Sequence, residues 1–576
     1  MPGAAAGSRA CFPYLAPPIW HHGTVPAPVT AKRKAWHRVA GVCDHTSGAA
    51  IPGPDGDYPM RTPIIAALVV VLAAAAGGGY YALEVYPQQR FRTGLDQALA
   101  TLPPGTTGSY KTAHYSVASH RAVVTGFTVH GEINAARPHP FDVTIDSIET
   151  ENPALNFPDL WADAVAKPAA LTPDTALPVA DAVIVKGLTI HSDMVNISQA
   201  SIHITKTRLF PWALLHDGMP SWQEIQASLT PPSDPARIAD LRPLLRAEAA
   251  ALLGIAYDSY EAGAVKASET SPELNFTYDV RKMTGGAFDR GIMHAATAEG
   301  IAFTGDKVGA VSIDRMAMDG MDVREPMMRL LNGEPLTAAL LDKMHIGKVA
   351  YDGIAAQPPG QPEIRMGGFS IGPVAFAQGM PVSGQLGWTD ISVQRDAMPD
   401  PRAQDVFDKL GLQSITMSFT LAYDWDVGQR RMSVHDTMLK VNELGTLWLA
   451  ADLADIIPDV NALAGARLAH AKLRLDDASL TERLLRAGAE ATGADPATFR
   501  QQIANILHAQ GDSDDDRSPE LEAAGQAAGE FVASPRSLTI ELAPKSPVPV
   551  MTLLGALAAP GKSAAMLGLT VSANQQ

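Results

Sequence analysis

Hydrophobic and polar residues alternate most regularly between positions 415 and 425 of this chain. Apolar side chains occupy every second position there: Ile415, Met417, Phe419, Leu421, Tyr423 and Trp425. A period of two places them on one face of a β-strand and puts the mostly polar residues between them on the other face. Residues 426–429 then predict a turn, and Met432 and Val434 begin a return strand. The pattern indicates an antiparallel sheet with one face exposed to water.

A second pattern recurs along the chain and reads apolar, any residue, glycine, apolar, any residue, apolar. Its copies are centred on Gly126, Gly187, Gly320, Gly353 and Gly368, the last two being weaker. A glycine inside a strand pattern predicts a bulge or a sharp bend. Because the copies are irregularly spaced, they do not form a solenoid repeat. We interpret them as one type of strand used repeatedly within longer β-units.

Helical segments interrupt the strands. A helix opened by Asp234 and the proline after it is predicted to end at Gly254. Ser479 and Glu482 have the spacing of a capping box at the start of another helix. A third helix is predicted to begin after Asp495, and a final strand occupies positions 538–542.

One uncharged apolar run, from Ile64 to Leu83, is long enough to cross a bilayer, which takes about 20 residues. It predicts a membrane anchor, and the membrane is therefore a predicted partner of the chain. The small residues at 73–79 also fit the end of a cleaved signal peptide, and this alternative stays open. Both interpretations send the rest of the chain across the membrane.

Residues 1–59, which precede this run, are rich in proline, glycine and histidine and predict disorder. They contain both cysteines, Cys11 and Cys43, and a basic cluster at 32–38. Such a segment is unusual ahead of an exported body. Our hypothesis is that translation begins at Met60 and that residues 1–59 are an artefact of the gene model.

The predicted fold class is α+β: a single N-terminal transmembrane helix followed by antiparallel β-rich sheets with interspersed helices. The predicted units are an anchor or signal peptide at 60–86, a β-rich domain at 87–230, a mixed helix and strand region at 231–345, an antiparallel β-rich domain at 346–460, a helical segment at 461–511, and an acidic linker, strand and C-terminal tail at 512–576.

The composition argues against several kinds of function. The net charge of −16 is unfavourable for binding nucleic acid or anionic lipid headgroups. The segment 556–563 lacks the first glycine of a phosphate-binding loop, and the aspartates from Asp512 lack the glycine and glutamate of a calcium loop. The histidines show no metal-ligand spacing. We therefore predict neither a cofactor nor a metal.

Residues 368–372 match the G-x-S-x-G motif, with Ser370 at its centre. A nucleophile elbow needs a strand, a sharp turn and then a helix under the serine. Here Pro373 follows the motif and no helical period appears before Pro381. An exported serine hydrolase using Ser370 is kept as the alternative function.

The apolar run at 64–83, the acidic cysteine-free body and the glycine-centred strands together resemble bacterial envelope proteins of the AsmA-like and YdgA-like kind. The segment 473–485 and the helix after Asp495 also resemble uncharacterised envelope proteins of alphaproteobacteria. The resemblance implies a single-pass protein of the inner membrane with its body in the periplasm, acting in envelope homeostasis through lipid handling in a β-lined groove. It provides no catalytic residues.

The six alternating residues from Ile415 to Trp425 are the predicted wall of such a groove. We therefore expect a non-enzymatic protein that binds lipid or another apolar ligand, or that acts as an envelope scaffold. The other interpretation of this face is an ordinary core that a second sheet or a helix seals.

Overall fold

The structure is a computed structural model, and it describes residues 87–575 with internal breaks. The breaks are at 101, 103–104, 117–118, 134–138, 155, 193–194, 217–219, 221–223, 225–241, 271–274, 308, 335–336, 399, 458–464, 511–517 and 557–559. The predicted anchor, the segment before it and the first part of the helix at Asp234 lie outside the described residues. No helix in the described part of the chain is long and apolar enough to span a bilayer.

Strands form most of the described regular structure. In chain order they are β1 (Thr107–Ser109), β2 (Thr112–Ser116), β3 (Arg121–Ile133), β4 (His139–Glu151), β5 (Leu177–Ser192), β6 (Val195–Leu209), β7 (Ile255–Tyr257), β8 (Ser259–Ala262), β9 (Val265–Thr270), β10 (Asn275–Gly285), β11 (Phe288–Asp289), β12 (Ile292–Met293), β13 (Ala296–Gly305), β14 (Gly309–Met318), β15 (Met321–Asp322), β16 (His345–Ile346), β17 (Val349–Gln357), β18 (Ile364–Ile371), β19 (Ala375–Ala377), β20 (Met380–Gln394), β21 (Ser414–Asp426), β22 (Arg431–Val441), β23 (Gly445–Ala454), β24 (Arg467–Asp477), β25 (Ser537–Leu542), β26 (Val548–Pro549) and β27 (Leu569–Ala573).

Helices lie between groups of strands. They are α1 (Pro87–Ala100), α2 (Phe157–Ala166), α3 (Pro211–Leu214), α4 (Arg242–Leu253), α5 (Arg324–Leu331), α6 (Ala338–Leu341), α7 (Pro401–Leu410), α8 (Leu480–Thr492), α9 (Pro496–Gln510), α10 (Pro519–Ala533), α11 (Val550–Ala556) and α12 (Pro560–Leu567). Two short 3-10 turns follow α2 and precede α7.

All of these strands belong to one antiparallel sheet in which each long strand pairs with the next long strand along the chain. The order across the sheet is β3, β4, β5, β6, then β8 and β9 end to end in one position, then β10, β13, β14, β17, β18, β20, β21, β22, β23, β24, β25 and β27. The predicted α+β class is confirmed in this coarser form. The ladders also cross the predicted boundaries at 230, 345 and 460, where the domain division stays a prediction.

Glycines with left-handed backbone bend the long strands at matching positions. Gly126, Gly187 and Gly353 have φ of +59°, +62° and +63°, as expected from the repeated pattern, and Gly300 has φ of +61°. The pattern at Gly300 was missed in the sequence, although its flanking residues fit it. The register between strands is unchanged at these bends, because the residue opposite each glycine is unpaired as well, and in each strand the apolar residues two before and one after the glycine face the same side.

Gly320, another copy of the pattern, has a different role. It lies between β14 and β15, and a Cβ added to it would lie 2.7 Å from the carbonyl oxygen of His294. A Cβ on Gly347 would lie 2.6 Å from the carbonyl of Gly320, and one on Gly372 would lie 2.7 Å from that of Gly347. At these three glycines neighbouring strands are interrupted at the same level of the sheet. The expected sharp bend is therefore present at Gly320, but it lies between two strands and not inside one.

We expect Gly187→Ala to lower the free energy of unfolding by about 1–3 kcal/mol, because alanine is strained at positive φ. The new Cβ would also collide with the carboxylate of Asp146 on the neighbouring strand. Equilibrium urea unfolding measures the effect. Gly465→Ala is the control, since nothing lies within 4 Å of a Cβ built there. Equal stabilities of the two variants would contradict the left-handed bend at Gly187.

Two of the three predicted helix starts are confirmed, one of them with a correction, and the start at Asp234 lies outside the described residues. Helix α9 follows Asp495, whose carboxylate accepts a hydrogen bond from the backbone N–H of Thr498 at 3.0 Å. Helix α8 follows Ser479, but the Ser479 side chain forms no capping bond there. Asp477 accepts from the Thr481 N–H at 2.9 Å instead. The capping-box prediction is therefore wrong, because the Ser479 hydroxyl donates to the carbonyl oxygen of Glu443 and accepts from the Arg483 side chain.

Candidate functional site

One face of the sheet is apolar over most of its extent, as the direct pairs across antiparallel strands show, since such pairs point to the same side. We call the longest row of such residues lane 1. It consists of Val124, Ile148, Val185, Ile202, Ala262, Met283, Ala298, Met316, Tyr351, Phe369, Trp388, Phe419, Leu439, Leu447, Leu475, Leu538 and Ala573.

A second row, lane 2, runs parallel to lane 1 across the sheet. In strands such as β3 and β5 the left-handed glycine lies between the lane 1 residue and the lane 2 residue. It consists of Phe127, Ile145, Leu188, Gln199, Val265, Val280, Ile301, Ile313, Ile354 and Met366. We call lanes 1 and 2 together with their immediate apolar neighbours the apolar face. Neither lane contains a charged residue.

The N-terminal end of the apolar face is sealed. Phe91 and Leu95 of α1 are completely buried in the same cluster as the lane residues of β3 to β6. The sequence explains this packing, since the two residues lie four positions apart and therefore on one face of a helix. Every lane 1 residue from Val124 to Ala262 is buried. This part of the face is an ordinary hydrophobic core.

From β10 onward lane 1 is only partly covered. Every lane 1 residue from Met283 to Ala573 retains some exposure to solvent, although none of them is charged. Tyr278 and Leu449, which flank the lanes, are 37% and 39% exposed. Monomeric proteins rarely leave so continuous an apolar surface exposed unless it binds something.

The six residues predicted from the sequence lie on β21, where the structure confirms their alternation. Ile415 at one end contacts a small cluster around Phe407 and Leu410 of α7, and Trp425 at the other end packs with Ile456. The four residues between them, Met417 to Tyr423, belong to none of the buried clusters formed by the described residues. The predicted wall is therefore capped at both ends and open in its middle.

Aromatic side chains lie in pairs on the open part of lane 1. The rings of Trp388 and Phe419 stack with centroids 4.4 Å apart, and those of Tyr351 and Phe369 lie 6.2 Å apart. The indole N–H of Trp388 is inaccessible to water and has no hydrogen-bond partner among the described residues. Stacked rings give this surface large rigid contact areas at low entropic cost.

The opposite face of the sheet is polar and carries its charges in pairs. On β22, His435 lies with Nε2 2.8 Å from Asp424 and Nδ1 2.9 Å from Asp436. Hydrogen bonds to Asp436 and Asp424 raise the pKa of His435 above its ordinary value. Because the two carboxylates hold opposite sides of the ring, they do not converge on one point. The described residues contain no group of side chains arranged to hold a metal ion.

Ser370, the centre of the G-x-S-x-G motif, lies inside β18 on this polar face. It pairs with Ala350 on one side and Gly387 on the other, so it is part of a regular ladder. The next element is the short strand β19, not a helix. The local geometry therefore lacks the turn and the helix that activate the serine of a nucleophile elbow.

The sequence patterns did not predict most of the open part of lane 1, because a left-handed residue within a strand reverses the alternation of its faces. Tyr351 and Ile354 point to the same side although they lie three positions apart, so strict alternation assigns one of them to the wrong face. The signal was present in the pattern around each left-handed glycine. On β20 and β22 the same role falls to Asp390 and Asp436, with φ of +53° and +48°, which no glycine pattern reveals.

Comparison with known proteins gives one similarity. Residues 434–574, which run from β22 to the end of β27, match a sequence family described only as an uncharacterized protein. No curated protein and no solved structure matches the chain significantly. The matched segment contains the C-terminal part of the open apolar face and helices α8 to α12.

Proposed function

We propose that this protein is a non-enzymatic, membrane-anchored protein of the bacterial envelope that binds the acyl chains of lipids on its open apolar face. The periplasmic location of the body and the anchor at 64–83 are part of the proposal and rest on the sequence. The observation that carries it is lane 1, which is continuous, uncharged and partly exposed from Met283 to Ala573.

The dimensions of this surface suit lipid chains. Lane 1 crosses the strands β10, β13, β14, β17, β18, β20 to β25 and β27, and neighbouring strands lie about 4.8 Å apart, which gives roughly 50 Å. One leaflet of a bilayer core measures roughly 15 Å, half of the roughly 30 Å hydrocarbon thickness. The open lane therefore has room for more than one acyl chain in sequence.

The width of the face supports the same ligand class. Lane 2 runs beside lane 1 from β10 to β18, and both consist of aliphatic and aromatic side chains without charges. A hydrocarbon chain on this surface would remove apolar area from water on both partners, which is worth about 25 cal/mol per Å².

Lipid that co-purifies with the protein tests the proposal. We expect Ile313→Glu, in lane 2, to lower the bound lipid at least about tenfold, because a carboxylate under an acyl chain costs more than the roughly 1.4 kcal/mol which that factor requires. Lipid extraction and native mass spectrometry of the purified body measure the amount. The matched control is Ser312→Glu, which places the same charge one residue away on the polar face, between Ala302 and Ala355.

The two variants separate the possible outcomes. Lipid retained by Ser312→Glu and lost by Ile313→Glu, with equal circular dichroism, supports the apolar face as the binding surface. Absence of lipid from the unmodified protein, also after incubation with vesicles of bacterial phospholipid, would overturn the proposal.

A further inference from the structure

A carboxylate stands on the apolar face at its rim. Glu269 on β9 pairs directly with Val195 of β6 and with Phe276 of β10, so its side chain points to the same side as theirs. It lies two residues beyond Ala267, which is opposite Tyr278. A charged residue at this position departs from the apolar pattern of the surrounding face.

This carboxylate has no partner among the described residues. The nearest lysine along β9, Lys266, points to the opposite face and pairs there with Asp279 at 3.8 Å. Glu269 itself forms no ion pair and no hydrogen bond within the described part of the chain. Burial raises its pKa above the ordinary value. An ionised carboxylate in such a place is unfavourable unless something compensates its charge.

Aromatic rings stand beside it. The rings of Phe276 and Phe303 stack with centroids 5.5 Å apart, and Tyr278 lies opposite Phe303 in the ladder and is 37% exposed. All of them point to the apolar face. A carboxylate next to aromatic rings is the combination that attracts organic ammonium groups, since the ring faces and the carboxylate are both negative toward a cation. We call Glu269, Phe276, Tyr278 and Phe303 the rim cluster.

We infer that the rim cluster binds the cationic amine headgroup of an amphiphile whose hydrocarbon chain lies along the open lanes. The inference rests on the proposed function, which supplies the surface for the chain, and it adds the headgroup class. The open part of lane 2 begins next to the cluster at Ile301, which lies two residues from Phe303 on β13, whereas Val280, the partner of Ile301 on β10, is buried. A single molecule can therefore reach both. The charge of Glu269 selects an ammonium over a neutral or anionic head.

Competition between single-chain probes tests the inference. The probes are dodecyltrimethylammonium, dodecyl maltoside and dodecanoate, each used below its micelle concentration with the full-length protein. We expect the cationic probe to bind most tightly and Glu269→Gln to weaken it about fivefold to tenfold, with little change for dodecyl maltoside. Glu299→Gln is the matched control, since Glu299 lies on the polar face and pairs with Arg281. Phe303→Leu is expected to weaken the cationic probe by a smaller factor.

The outcomes distinguish this inference from the proposed function. If none of the three probes binds, the apolar face does not take hydrocarbon chains and the proposed function fails first. If all bind and Glu269→Gln leaves their order unchanged, the proposed function stands and the headgroup assignment is overturned. Equal thermal unfolding of the Gln variants and the unmodified protein ensures that lost binding reflects lost charge.

Discussion

Ile145→Ala is expected to lower the free energy of unfolding by about 3–4 kcal/mol, whereas Ile313→Ala should cost only about 1 kcal/mol. Both residues belong to lane 2, and the two substitutions delete the same atoms. Ile145 is 1% exposed beneath the cluster that α1 seals, so its truncation leaves a cavity. Ile313 lies on the open part of the face, where water or a ligand can fill the space.

Urea unfolding combined with native-state hydrogen exchange of peptides from β4 and β14 measures both effects. The measurement also separates the empty protein from the loaded one. With lipid bound, Ile313 becomes part of a covered interface, and the cost of Ile313→Ala should rise toward that of Ile145→Ala. Similar large costs for the two variants in lipid-free protein would mean that the open face is covered in solution, and the binding proposal would lose its main support.

The contrast between sealed and open halves shows what the sequence could predict. The alternation from Ile415 to Trp425 predicts the strand, shows which of its residues share a face, and shows that this face is apolar. It does not contain the information on what lies above that face. Both halves of the sheet have equally apolar lanes, and the difference comes from α1, whose Phe91 and Leu95 cover distant strands. Such coverage depends on tertiary contacts that local periodicity does not encode.

The bulges explain the second gap between expectation and structure. A left-handed residue shifts the alternation by one, so a strand such as β17 changes its apparent parity at Gly353. Where the left-handed residue is a glycine, the sequence pattern around it predicts the shift. Where the left-handed residue is Asp390 or Asp436, the sequence does not predict the shift, because an aspartate occurs in many other local structures and does not by itself indicate a positive φ. The continuous lane therefore became visible only from the pairing of neighbouring strands.

Arg290→Met should lower the free energy of unfolding by about 2–3 kcal/mol, because it removes several hydrogen bonds from a partly buried guanidinium. Arg290 donates to the carbonyl of Pro173 at 2.8 Å and to Asp174 at 2.7 Å, and its guanidinium lies 4.5 Å from the ring centroid of Phe210. It thereby joins the loop before β5 to the turn after β11. Its side chain is only 19% exposed. The control is Arg365→Met. Because the Arg365 side chain is 75% exposed, this substitution should lower the free energy of unfolding by less than about 0.5 kcal/mol.

The pH dependence of Arg290→Met provides an independent check. Burial alone would raise the pKa of Asp289, but the hydrogen bond from Arg290 and the charge of Arg324 outweigh it and lower that pKa below its ordinary value. A carboxylate whose pKa is lower in the folded state stabilises the fold above its unfolded pKa, and this contribution is lost as the pH falls through the folded pKa. The unmodified protein should therefore lose stability below about pH 4 more steeply than Arg290→Met, whose Asp289 pKa moves back toward the ordinary value. Urea midpoints measured between neutral and acidic pH test this, and parallel curves would show that Arg290 does not act on Asp289.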